Sequence, residues 1–196
     1  ISDRNLFGLG YQGSLRFRLG SETRDLRLGF TDPYFLGYPY SAGFDLYHEQ
    51  VEYFETYSYR ILGGDVRFGK ELTDILRVDT MYKLEEVDIY DVAFDAPRSI
   101  KDQTGKSTTS ALSMSFTSDT RNDFFAPSSG ARHSFFIQNA GGPLGGDNYF
   151  VKGFLETSWF FPMPLRTVLN LRAKYGRVKP YGNQKVTVFK NGVFVE

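Results

Sequence analysis

Side-chain polarity alternates with a period of two along nearly the whole chain. That pattern confines the chain to β-structure, because only an extended strand sends successive side chains to opposite faces. In 11–19, Tyr11, Gly13, Leu15, Phe17 and Leu19 alternate with Gln12, Ser14, Arg16 and Arg18. In 25–30, Leu26, Leu28 and Phe30 alternate with Asp25, Arg27 and Gly29. The same beat runs through 42–48, 62–68, 76–84 and 111–117. In 167–176, Thr167, Leu169, Leu171, Ala173 and Tyr175 alternate with Val168, Asn170, Arg172, Lys174 and Gly176. Segments 131–140 and 149–160 are noisier, and 185–195 is a further candidate. The count is about nine or ten strands and no helix, each near the roughly ten residues of a membrane-spanning strand.

The connections fall into two alternating sets. One set, 2–8, 32–40, 70–75, 119–130 and 161–165, is short or aromatic. The other, 20–23, 49–57, 85–108, 141–148 and 178–184, is polar, and its longest member carries Glu85, Glu86, Asp88, Asp91, Asp95 and Asp102. An up-and-down antiparallel sheet puts alternate connections at opposite ends. Short turns at one end and longer loops at the other are the pattern of an outer-membrane barrel. No domain boundary, low-complexity tract or repeat beyond the hairpin is visible.

Bulk composition pulls the other way. With 41% hydrophobic residues and a mean hydropathy of −0.34, the chain of 196 residues looks like one soluble domain. Its 19 Phe and 13 Tyr then need a place to go. No run approaches the roughly 18 apolar residues of a transmembrane helix, and Ile1-Ser2-Asp3-Arg4-Asn5 has no signal-peptide pattern. Zero net charge argues for no nucleic-acid partner, and the absence of Cys removes disulfides and thiolate metal sites.

Alternation alone does not say whether the apolar face points to lipid or to a soluble core. The other face carries charges of both signs, including Arg16, Arg18, Asp25, Arg27, Asp45, Asp65, Arg67, Asp79, Lys83, Glu156, Arg172 and Lys174. These fit a water-filled lumen and equally a solvated exterior. Rings favour lipid: Tyr34, Phe35, Tyr38, Tyr40, Phe124, Phe125, Trp159, Phe160 and Phe161 gather at strand ends, as in an interfacial girdle. Leu15, Phe17, Leu28, Leu169 and Leu171 then face lipid, and Arg16, Arg67 and Arg172 face the lumen. In lipid every strand edge must be paired, so the parent barrel closes.

Little in the chain suggests bond-making chemistry. Gly8-Leu9-Gly10-Tyr11-Gln12-Gly13 matches a dinucleotide fingerprint in letters, but a strand follows where a helix is needed. Gly105-Lys106-Ser107-Thr108 imitates a P-loop end, yet the opening Gly would fall at Ile100. His48 and His133 lie on different strands without a second ligand at metal spacing, so rim positions are expected. Divalent cations, of the kind that bridge lipopolysaccharide, are one candidate use for the acidic loop 85–108; a solvated loop is the other. No catalytic residue, cofactor or metal is assigned, and the chain is read as not an enzyme.

Two motifs carry a family resemblance. Phe30-Thr31-Asp32-Pro33-Tyr34-Phe35-Leu36-Gly37 resembles a periplasmic turn of BamA-type outer-membrane assembly factors. Asp119-Thr120-Arg121-Asn122-Asp123-Phe124-Phe125-Ala126-Pro127, with Gly130, resembles a later turn of the same barrels and recurs across the wider POTRA-barrel superfamily. The resemblance implies that 1–196 is part of one outer-membrane barrel domain, with the POTRA domains, the first strand and the C-terminal strands absent. It implies a non-enzymatic insertase of the bacterial outer membrane, which perturbs the bilayer and templates strands by edge pairing. The implied partners are the bilayer and lipopolysaccharide, unfolded outer-membrane proteins, and assembly-complex lipoproteins held through the POTRA domains. A two-partner-type secretion pore of the same superfamily and a soluble ligand-binding β-barrel are the alternatives.

Overall fold

The computed structural model describes residues 1–53, 56–182, 188–190 and 193–195, the last two stretches and Tyr53 by their backbone alone. Ten strands form one antiparallel sheet in strict chain order. They are β1 (Ser2–Leu6), β2 (Tyr11–Leu19), β3 (Thr23–Asp32), β4 (Tyr40–Tyr53), β5 (Tyr57–Thr73), β6 (Leu76–Tyr90), β7 (Gly105–Asp119), β8 (Gly130–Ala140), β9 (Phe150–Met163) and β10 (Thr167–Pro180). β1 and β10 do not pair with each other, so the sheet is open. One helical turn, α1 (Arg98–Lys101), lies between β6 and β7. The expected segment 185–195 is a short hairpin, β11 (Val188–Lys190) with β12 (Val193–Val195), and its other residues lie outside those described.

Several strands run longer than the alternation suggested. β5 has 17 residues, and β6 and β7 have 15 each. Residues 49–53 and 70–73, expected in connections, therefore extend β4 and β5, and part of the expected connection 2–8 is the strand β1. The alternation of connections stands: 33–39, 74–75, 120–129 and 164–166 lie at one end of the sheet, and 20–22, 91–104 and 141–149 at the other. We call these the turn end and the loop end.

Register shows how the faces are built, since residues paired directly across a ladder share a face. Leu15, Leu28, Leu46, Gly64 and Leu84 form one continuous row, and Phe30, Phe44, Val66, Tyr82 and Leu112 the next. Among the described residues no protein layer covers this apolar face: Leu15, Leu28 and Leu46 are 45%, 44% and 53% exposed. A face this apolar and this bare is incompatible with a soluble barrel or sandwich. On the opposite face Asp45, Asp65 and Lys83 share a row, as do Glu156 and Lys174.

At the loop end the two faces exchange character. On β4, β5 and β6 the residues Val51, Tyr59, Ile61, Val87 and Ile89 continue the charged face by register, but they are apolar. Ile100 of α1 and Val92 pack on them, forming a buried cluster with Tyr57. The apolar face of the same stretch turns polar, with Gln50, Arg60, Glu86, Asp88 and Lys106. Part of the expected 85–108 connection is thus strand and docked helical turn, while its acids Asp91, Asp95 and Asp102 are exposed, as in a solvated loop. Its first acids lie on β6 and diverge: Glu85 accepts from Tyr47 (2.6 Å) and Lys83 (2.9 Å) on one face, while Glu86 pairs with Lys106 (2.9 Å) on the other.

The docked helical turn makes a local prediction. Ile100 is 7% exposed, and truncation to Ala is expected to cost about 2–4 kcal/mol where the cavity cannot collapse. The cost should fall on residues 91–104 alone. Faster hydrogen exchange at the Asp102 and Gln103 amides, which bond to the Arg98 and Ile100 carbonyls, with unchanged exchange in β5 and β6, is the expected outcome.

Candidate functional site

The two turn motifs are ordered by their own side chains. In the first, the Asp32 carboxylate accepts the Tyr34 N–H at 2.9 Å across Pro33, an Asx turn that starts the reversal. A 3-10 turn at Phe35–Gly37 follows, closed by the Gly37 N–H on the Tyr34 carbonyl at 2.8 Å. Phe35 meets the Phe68 ring edge-on at 6.5 Å, on the apolar face, and Tyr38 lies 6.3 Å from Tyr40. Lys70 donates to the Tyr40 hydroxyl at 3.1 Å and stands over its ring.

The second turn, 120–129, assigns a task to almost every residue of its motif. Arg121 binds Asp119 in a two-pronged ion pair, at 2.8 and 2.6 Å, and lies over the Phe124 ring at 5.1 Å. The Asn122 side-chain oxygen accepts the Ser128 and Ser129 N–H groups, both at 3.0 Å, tying the far sides of the turn together. Asp123 accepts the Phe125 and Ala126 N–H groups, both at 2.7 Å. Gly130 returns the chain to β8 with φ of 96°. This scaffold holds Phe124 and Phe125 edge to face at 5.3 Å, with Phe125 93% exposed. The turn spends its polar groups on itself and presents two rings outward. Pro127 lies at its far side, between Ala126 and Ser128.

The hydrogen bonds on Asp123 give the turn a pH signature. Two backbone donors hold its carboxyl below the usual carboxylate range. A depressed folded-state value means the contribution is full above the unfolded pKa of about 3.9 and fades as pH falls through the lower folded value. The Phe125 and Ala126 amide resonances are therefore expected to titrate with a midpoint below that of a free aspartate. A midpoint at or above it would count against these bonds.

The charged face is cross-linked rather than merely polar. Arg67 bridges Asp45 at 3.0 Å and Asp65 at 3.4 Å, and Arg27 lies over the Tyr47 ring. Arg172 pairs with Glu156, which Lys174 also approaches at 3.6 Å. Arg16 lies opposite Arg27 across β2 and β3 and is exposed. Register puts Arg16, Arg67 and Arg172 on this face and Leu15, Phe17, Leu28, Leu169 and Leu171 on the apolar one. His133 bonds Thr157 at 2.6 Å and stacks edge-on to Trp159, at the turn-end rim of the apolar face. Phe160, expected in the girdle, pairs with Gly130 and Asn170 and so lies on the charged side. The inner apolar cluster at the loop end was missed. Its signal was the change of parity from Leu62 to Ile61 and Tyr59, and from Leu84 to Val87 and Ile89.

Long antiparallel strands in chain order, with one bare apolar face and one salt-bridged face, define a segment of a transmembrane β-barrel wall. The chain belongs to the Omp85 superfamily: the Omp85 superfamily domain model matches residues 5–191. It is 32% identical over 190 residues to the outer membrane protein assembly factor BamA of Nitratidesulfovibrio vulgaris, covering 97% of this chain and 24% of that protein. It is also 32% identical over 133 residues to BamA of Neorickettsia risticii, covering 67% of this chain and 18% of that protein. The chain thus spans a quarter or less of these relatives. Among solved structures, BamA from Haemophilus ducreyi lacking POTRA domains 1–3 superposes with a TM-score of 0.75 at 15% identity, over 94% of this chain and 38% of that one. The chain is a BamA-type barrel segment of the bacterial outer membrane, and the soluble alternative falls away.

Proposed function

We propose that this segment is wall from an insertase that assembles β-barrel proteins into the outer membrane, working without bond chemistry. The apolar face meets lipid, the charged face lines a water-filled lumen, the turn end is periplasmic and the loop end extracellular. Phe35, Tyr38, Phe124 and Phe125 then sit at the periplasmic headgroup level. Arg16, Arg67 and Arg172 hold water and an inward-folded loop of the parent barrel. Unfolded outer-membrane proteins are the substrates, lipopolysaccharide is the outer-leaflet neighbour, and lipoproteins join through POTRA domains.

One observation carries the mechanism: the wall loses height toward β2. β5 has 17 residues and β2 only 9, closed to β3 by the short link 20–22. At about 3.4 Å per residue and a tilt near 40°, that is roughly 44 Å falling to roughly 24 Å. The excess height of β5 lies in the polar stretch above Leu62, so beside β2 the headgroups meet less protein and the lipid there is held less tightly. An incoming strand would cross there at lower cost.

The test uses the full-length protein carrying this segment, reconstituted in vesicles with an unfolded outer-membrane protein. Folding of the client should accelerate relative to vesicles without the protein. Large conductance with no acceleration would overturn this reading in favour of a secretion pore.

A further inference from the structure

The polar stretch above the apolar belt has a specific composition that the wall reading does not use. On β3 the last apolar residue of that face toward the loop end is Leu26, and the next on the same face is Arg24; on β5 the last is Leu62 and the next is Arg60. Arg24, Gln50 and Arg60 are paired in direct register across β3, β4 and β5, and the row continues through Asp88 to Lys106, which pairs with Glu86. Neighbouring strands lie about 4.8 Å apart, so the two arginine backbones stand roughly 10 Å apart with an amide between them. Same-face neighbours along a tilted strand differ in height by about 5 Å, which sets this row one step above Leu26 and Leu62. Both arginines are exposed. The Arg60 guanidinium lies over the Tyr90 ring at 5.6 Å, and Gln50 donates to the Tyr90 hydroxyl at 3.0 Å and to Glu52 at 2.9 Å. Tyr90 thus serves as a platform that holds the row together.

We propose that Arg24, Gln50 and Arg60 form a binding site for the phosphate groups of an anionic glycolipid in the outer leaflet. The site rests on the facing and orientation argued above, and it names the residues that would hold the outer-leaflet lipid placed there. Arg is the side chain suited to phosphate, because its planar fork offers paired donors. The acyl chains of such a lipid would run down past Leu26, His48 and Leu62, the row beneath, and over Leu28 and Leu46. The turn end has a different chemistry. There Lys70, already engaged by Tyr40, is the one Lys or Arg of the apolar face among the described residues of β2 to β7, beside Asp32, Phe68, Leu76 and Val78. On β2 to β7 the arginines of this face are thus confined to the loop end.

The experiment places the full-length protein in nanodiscs holding a diphosphorylated glycolipid or its dephosphorylated form, and measures retained lipid by native mass spectrometry. Retention of the phosphorylated form should fall about fivefold for each arginine replaced, in Arg24→Gln, Arg60→Gln and the double variant. Arg18→Gln is the control: it removes the same charge next to Asp25, at nearly the same height on the opposite face. Equal loss in the control, or equal retention of the dephosphorylated lipid, would overturn the site. A gel-shift assay for folding accompanies each variant. A spin label at position 28 tests the facing separately: if oxygen in the bilayer does not reach it, the underlying placement fails rather than the lipid site.

Discussion

Arginine in place of Leu28 is expected to cost about 2–4 kcal/mol of folding free energy in a bilayer, the usual penalty for a cation on the lipid face near the midplane. Leu28 lies between Leu15 and Leu46 in the apolar row and two residues from Leu26 and Phe30 on its own strand, with His48 of β4 the one polar side chain at a diagonal position. Ser14→Arg is the matched control. Ser14 pairs with Gly29 on the charged face, where an added cation meets water and should change stability by less than about 0.5 kcal/mol. Urea unfolding of the full-length protein in vesicles measures both. Equal costs at the two positions would overturn the assignment of lipid to the apolar face.

Gly130→Ala is expected to cost about 2–4 kcal/mol, from two sources that add. Its φ of 96° is a conformation L side chains rarely adopt. An added Cβ would also overlap the Thr120 carbonyl oxygen and come within 2.8 Å of the Arg121 Cα. Both obstacles are backbone, so nothing flexible can give way. Gly105 separates the two sources, since it shares a positive φ of 104° but has open space around its missing side chain. Gly105→Ala should cost only the conformational part, about 1–2 kcal/mol. If both variants unfold at the same urea concentration, the close approach at Gly130 is not what fixes the turn.

Much of this architecture was legible because β-structure writes its faces into adjacent residues. Leu26, Leu28 and Phe30 announce their common face without any knowledge of what pairs with them. The turns were legible for a related reason: Asp32, Asn122 and Asp123 act on backbone groups within seven residues of themselves. What stayed hidden depends on partners far along the chain. Tyr47 finds Glu85 and Arg77 finds Ser41 only through the register of three strands. Lengths were underestimated where alternation continued but changed parity, as at Val51 and Ile61. The bounds of the acidic connection were hidden because charge is read by sequence position, while Glu85 and Glu86 act on opposite faces of one strand.

That change of parity has a consequence for how the barrel finds its register. In a strand that alternates uniformly, sliding by one residue is punished at every position, but sliding by two restores every side chain to its proper face. β5 does not alternate uniformly: Leu62, Val66 and Phe68 are apolar on one side, and Tyr59 and Ile61 on the other. A two-residue slide would drag Arg60 down to the level of the hydrocarbon, or lift Ile61 out from under Ile100. The reversal therefore works as a vernier mark, distinguishing alignments that plain alternation treats as equivalent and fixing how far each strand stands above the membrane.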